Sequence, residues 1–175
     1  MNQTNPIRIL IVDDHAMVRS GLKNFIYGFE WMEPVGEAAD GAAAVDFCAQ
    51  HEVDVVLMDM IMPQMDGSEA TRRIMALGKP VLCYIRESDL KFIPQEMRKD
   101  LPIIKATPST IYSVLKEWLT VRRDELSKVG QSSRAYVEKW HDPVKIAARL
   151  KSEYEAILAN CKSRREGSKI QGSLK

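Results

Sequence analysis

The chain reads as an α/β fold: a three-layer sandwich on a five-stranded parallel sheet, followed by two extra helices. Three observations predict it. Short runs such as IRILIV at 7–12 and VVLM at 55–58 are almost wholly apolar and show no polar alternation, the mark of strands buried on both faces. Stretches with helical apolar spacing separate these runs, so strand and helix alternate five times, which implies right-handed βαβ crossovers. Two of the apolar runs also end on carboxylates, Asp13-Asp14 and Asp59, where packing alone gives no reason for charge.

The elements follow in order. The first strand covers residues 7–12. Met17, Val18, Leu22, Phe25, Ile26 and Phe29 then recur at helical spacing over 15–29. Residues 34–38 read as the second strand, and the Ala-rich segment 41–51 as the second helix. The third strand is 53–58, and the helix at 68–77 is closed by Gly78 as its C-cap. A fourth strand at 80–85, a short helix at 89–99 and a fifth strand at 101–106 complete the sheet. Thr107-Pro108 then supplies an N-cap and a first-turn proline. The stripe that follows is Ile111, Val114, Leu115, Trp118 and Leu119. The flavodoxin-like, Rossmann-like strand order 2-1-3-4-5 is the natural arrangement for such a sheet. Residues 123–140 form one further helix. Asp142-Pro143 starts another, with Ile146, Leu150, Tyr154, Ile157 and Leu158 on one side. Both are expected to pack back onto the α/β core. Residues 1–160 are thus read as one α/β domain and 161–175 as a disordered basic tail.

Bulk properties narrow the function classes. A 45% hydrophobic content suits a packed core and not a disordered chain. No apolar run approaches the roughly 20 residues of a membrane helix, and MNQTNPIRIL lacks the pattern of a signal peptide. The expectation is a cytoplasmic protein without membrane contact. Cys48, Cys83 and Cys161 are widely spaced and odd in number, which argues against a disulfide framework or a zinc site. Net charge is +1, but residues 1–79 hold 6 Lys/Arg against 12 Asp/Glu, and the remainder holds 19 against 12. His15, His141, Trp118, Trp140 and the methionines near Asp59 read as structural residues.

In an open parallel sheet, ligands bind outside the carboxyl ends of the strands. The expected strand order makes the first and third strands neighbours, so Asp13, Asp14 and Asp59 converge in one crevice. Packed carboxylates repel unless a cation neutralises them, and a hard, oxygen-loving ion such as Mg²⁺ needs few protein ligands to do so. An Asp beside such a metal can attack phosphorus and form an aspartyl-phosphate. Lys105, at the end of the fifth strand, adds a cation able to hold phosphate.

Residues 7–73 resemble the receiver domain of bacterial two-component response regulators of the LuxR/NarL type. The resemblance rests on IRILIVDDHAMVRSGL and DVVLMDMIMPQMDGSEATRRI, with paired acids after the first strand and D-x-x-M-P-x-M-D-G after the third. It implies that Asp59 is the phosphoacceptor. It implies that Asp13 and Asp14 hold Mg²⁺ with Asp59 and the Ile61 carbonyl, and that Lys105 contacts the phosphoryl group. It also implies a histidine kinase or a small phosphodonor as partner. Receivers carry a Thr or Ser at the end of the fourth strand that reports phosphorylation; alignment places Ile85 there, and Pro102 stands where an aromatic residue is usual. The reading is a phosphoacceptor with impaired switching and no DNA-binding domain.

Residues 75–158 resemble something else, the C-terminal end of GT-B glycosyltransferases. MALGKPVLCYIRESDLKFIPQEM, LPIIKATPSTIYSVLKEWL and SSRAYVEKWHDPVKIAARLKSEYEAIL carry that likeness. The donor-binding acid of that family is missing before MALGKPV. The chain is therefore read as a chimera of the two parents, natural or engineered. An inactive chimera and a nucleotide-sugar-binding remnant are the alternative functions.

Overall fold

The computed structural model describes residues 5–172, with side chains described through residue 158. Five strands form one sheet in the order β2-β1-β3-β4-β5, all parallel. They are β1 (Ile7–Val12), β2 (Met32–Ala38), β3 (Val55–Met58), β4 (Val81–Cys83) and β5 (Ile104–Lys105). The expected flavodoxin-like architecture is therefore the one observed.

Side-chain alternation divides the core into two layers. Ile7, Ile9 and Ile11 of β1, with Val55, Leu57, Leu82 and Ile104, join Ile26 of helix α1 (Ala16–Tyr27) in one buried cluster. Leu115 and Leu119 close that side, from α6 (Ile111–Lys116) and a π-helical turn (Glu117–Val121). Leu10, Val12, Val56, Met58 and Val81 alternate with them in sequence, so they point to the opposite face. There the small and apolar residues Ala44 and Cys48 of α2 (Gly41–Gln50), and Ala70 and Ile74 of α3 (Gly67–Ala76), are buried. Cys48 and Cys83 are free and buried, as the cysteine spacing implied.

The last strands are shorter than expected. β4 covers three residues and β5 two. The expected helix at 89–99 is two helices, α4 (Glu87–Leu90) and α5 (Gln95–Asp100), because Pro94 interrupts the backbone pattern between them. The helix placed after Thr107-Pro108 begins three residues later. Thr107 instead folds a turn, its Oγ1 accepting from the Thr110 amide at 3.2 Å, which is the local alternative that a threonine hydroxyl offers to helix.

Helix α7 (Leu126–Trp140) crosses the sheet's amino-terminal edge. Leu126, Gly130, Ser133, Tyr136 and Val137 are buried along it. The chain forms two compact units, the first ending at Glu138 and the second beginning at Lys139. The second contains α8 (Pro143–Gly172), whose first turn is capped by Asp142 Oδ1 accepting from the amides of Val144 (2.8 Å) and Lys145 (3.1 Å). The basic tail expected from residue 161 falls on the end of this helix and beyond the described residues.

One ion pair stands inside the sheet edge. Asp54, just before β3, accepts from the Arg8 backbone amide at 2.9 Å, from Nε at 3.1 Å and from Nη2 at 2.8 Å. Burial works to raise the Asp54 carboxyl pKa, but the Arg8 hydrogen bonds and charge together outweigh it and hold the group below its usual value. Its contribution to stability is therefore complete above the ordinary Asp value near pH 3.9 and is lost as pH falls through the lowered folded value. Asp54→Asn is expected to lower stability at pH 7 by about 1–3 kcal/mol. It should also make the loss of stability below about pH 4 shallower than in the parent. Urea unfolding across a pH series measures both.

Candidate functional site

The strand pairing builds the site. Val12 lies beside Met58 in the β1–β3 register, so the chain leaves the sheet at Asp13 and Asp59 side by side. The Asp59 amide donates to the Val12 carbonyl at 2.9 Å and the Asp13 amide to the Ala38 carbonyl at 3.2 Å. Both acids are thus anchored by the backbone at the carboxyl edge of the sheet, where open α/β folds place their chemistry.

Asp13, Asp14 and His15 are drawn together. One ligand-capable atom from each lies within 4.8 Å of the others. The Asp13 side chain is only 13% exposed, and its Oδ1 accepts from the His15 amide at 2.8 Å. Asp14 Oδ1 is buried without a hydrogen bond. His15 Nδ1 lies 2.8 Å from it, close enough for an ion pair but without hydrogen-bond geometry. His15 was read as structural, yet it completes this cluster; its place directly after the acid pair was the available signal.

Asp59 stands outside that tight cluster and instead shares a small cavity of about 160 Å³ with Asp13. Cys83, Tyr84 and Thr107 also line it. Asp59 Oδ1 accepts from the Ile61 amide at 3.3 Å, while the Ile61 side chain is exposed. Lys105 is exposed at the end of β5, in register with Cys83, and lies outside the lining of this cavity. Two strand spacings, about 10 Å, separate its strand from that of Asp59. Burial pushes the Cys83 thiol up to about 12, with the Lys105 charge acting weakly against it.

β4 ends at Cys83, which pairs with Met58. Tyr84, the next residue, lines the cavity that holds Asp59, and Ile85 follows it outside that lining.

The loop that follows Asp59 is fixed at its far end. Asp66 caps α3, its Oδ1 accepting from the Glu69 amide at 2.8 Å. Gly67 is buried with its Cα against the Asp59 carbonyl, so a Cβ there would collide with the Asp59 and Met60 backbone. The D-G pair of the motif thereby seats the start of α3 on the backbone of the acid itself. Between them, Gln64 takes a left-handed backbone at φ 64°. Gly67→Ala is expected to cost about 2–3 kcal/mol in urea unfolding. Gly21→Ala, where nothing lies within 4 Å of an added Cβ, should stabilise by up to about 1 kcal/mol because it removes a mid-helix glycine.

Comparison with known proteins agrees with this geometry. The profile of the response regulator receiver domain matches residues 9–104. Response regulator UvrY of Escherichia coli (strain K12) is 48% identical over 68 residues, covering 39% of this chain and 31% of that protein. Response regulator protein VraR of Staphylococcus epidermidis is 35% identical over 111 residues, 63% of this chain and 42% of that protein. The solved receiver domain of the putative response regulator NarL from Mycobacterium tuberculosis matches with a TM-score of 0.56 at 26% identity, covering 69% of this chain and 98% of that one. The chain therefore spans roughly a third of the length of curated relatives such as UvrY, at 31%. The profile runs well past residue 74 and gives no support to a glycosyltransferase origin for the segment up to residue 104. With more than half of its residues inside that match, the chain belongs to the response regulator receiver domain family.

Proposed function

We propose that this chain is a phosphoacceptor module of two-component signalling, phosphorylated on Asp59 in an Mg²⁺-dependent reaction by a histidine kinase or a small phosphodonor, in the cytoplasm. The observation that carries the proposal is the shared cavity of Asp13 and Asp59 beside the Asp13-Asp14-His15 cluster. The donors suit a hard divalent cation: they are carboxylate oxygens, and the buried Asp14 Oδ1 has no hydrogen bond of its own. Asp13, Asp14, Asp59 and the Ile61 carbonyl would hold the ion. Bound there, Mg²⁺ supplies charge neutralisation for carboxylates and phosphoryl oxygens. The Asp59 carboxylate is the nucleophile, and its backbone anchor to Val12 fixes the direction of attack. Lys105 contacts the phosphoryl group by reaching across the end of β4.

Acetyl phosphate with Mg²⁺ is expected to add one phosphoryl group, read by intact-mass spectrometry. Asp59→Asn should add none. Mg²⁺ should raise the thermal midpoint of the parent by mass action, and less so in Asp13→Asn. A phosphoryl group gained by Asp59→Asn would sink the assignment.

Switching is impaired on this reading because Ile85 stands where the resemblance expects a small hydroxyl that would follow the phosphoryl group, and an aliphatic side chain has no hydrogen-bond donor to offer it. Phosphorylation of the parent should leave amide exchange in α4–α6 nearly unchanged. Ile85→Thr should make that exchange respond. Equal responses in both proteins would refute the impairment.

The chimera reading draws no support from the comparisons, since the receiver match runs across residue 74 to residue 104. A nucleotide-sugar-binding remnant draws no support from the comparisons.

A further inference from the structure

A second site lies at the opposite edge of the sheet from the acids. It is a cavity of about 490 Å³, within the range of about 300–1,000 Å³ typical of small-molecule pockets. Its floor is the amino-terminal edge of the sheet, where β1, β3 and β4 begin, and its wall is α7. The wall is rigidly placed. Gly78, at φ 74°, presents its carbonyl to Gly130 of α7 so closely that a Cβ on Gly130 would collide with it. The helix therefore docks backbone to backbone on the α3–β4 turn, and the cavity opens beside that contact.

The charge in this cavity is one-sided. Lys79, Arg123 and Arg134 line it, on three different segments. Lys79 has no carboxylate partner among the described residues. Arg123 donates one hydrogen bond to the Asn5 carbonyl, which leaves most of its guanidinium donors for other acceptors. Arg134 pairs with Glu138 through Nε at 3.1 Å, one turn along α7. The one acid on the lining, Asp54, is held by three hydrogen bonds from Arg8, and the Arg123 charge acts on it more weakly. Ser127 and Gln131 add neutral polar groups. Ile7, Val53, Pro80 and Leu126 supply an apolar patch.

We infer that this cavity binds a small phosphorylated molecule, with the phosphate among Lys79, Arg123 and Arg134 and the organic portion against the apolar patch. Three cations with no unsatisfied acid favour a dianion over a monoanion. The planar forks of two arginines match phosphate oxygens in pairs. The apolar floor favours a phosphate ester over free phosphate.

The test uses phenyl phosphate as probe, on the Asp59→Asn protein without Mg²⁺, which removes the acid pocket as a competing site. Backbone amide shifts of Gly78, Ser127 and Gln131 should move saturably. Inorganic phosphate should bind more weakly, and phenol should give no shift. Arg123→Gln and Arg134→Gln should each weaken binding roughly tenfold, the loss of one charge-assisted hydrogen bond, whereas Lys105→Ala should not weaken it. Arg134 is exposed, so its variant tests the proposal even if Arg123→Gln perturbs folding. Absence of saturable shifts at these amides, or unchanged affinity in Arg134→Gln, overturns it.

Discussion

The register that sets Val12 beside Met58 decides where every carboxylate of the acid site ends up. Side chains alternate along a strand, so a slip of one residue would turn Ile9, Ile11, Val55 and Leu57 out of their layer. The buried cluster thus locks the register, and the register delivers Asp13 and Asp59 at one level. Gly67 then ties the start of α3 to the backbone of Asp59, so that the acid is held from below by the sheet and from the side by a helix. Core packing and site geometry are one constraint here, expressed at two ends of the same strands.

The sheet also separates charge along its strands. Asp13, Asp14 and Asp59 stand at its carboxyl edge, while Lys79, Arg123 and Arg134 line the cavity at its amino edge, where Asp54 is paired with Arg8, in a chain whose net charge is only +1. The uneven sequence distribution therefore has a spatial counterpart. Lys79 is the last residue of the acidic stretch 1–79, yet it lies on the basic edge, beside Arg123 and Arg134. That edge is built by α7.

Much of the fold was legible because buried parallel strands are short apolar runs with no alternation to confuse them. The first three strands and the closing of α3 at Gly78 follow from that pattern and from glycine's tolerance of left-handed backbone, while the strand order, which the sequence does not fix, is the common arrangement for such a sheet. The acids were legible because charge at a buried strand's end has no packing explanation. The later elements were not. LPIIKA is as apolar as any strand, yet only Ile104 and Lys105 pair, because pairing depends on a neighbour that itself ends at Cys83. β4 is short as well: PVLCYI is six residues of apolar character, and the hydrogen-bonded strand uses three. The cavity beneath α7 depends on how separate segments approach, which local spacing does not encode.

Both margins of the sheet are poor templates for another strand. β2 carries Pro34, which has no amide to donate, and Val35 is skipped in its pairing with β1, a bulge that bends the ladder. β5 offers two residues. An open parallel sheet is exposed to runaway edge-to-edge pairing wherever a long, regular edge is left bare. Here an irregular edge on one side and a truncated one on the other work against that pairing. Lengthening β5 or straightening β2 in search of stability would remove this protection and expose an edge prone to aggregation.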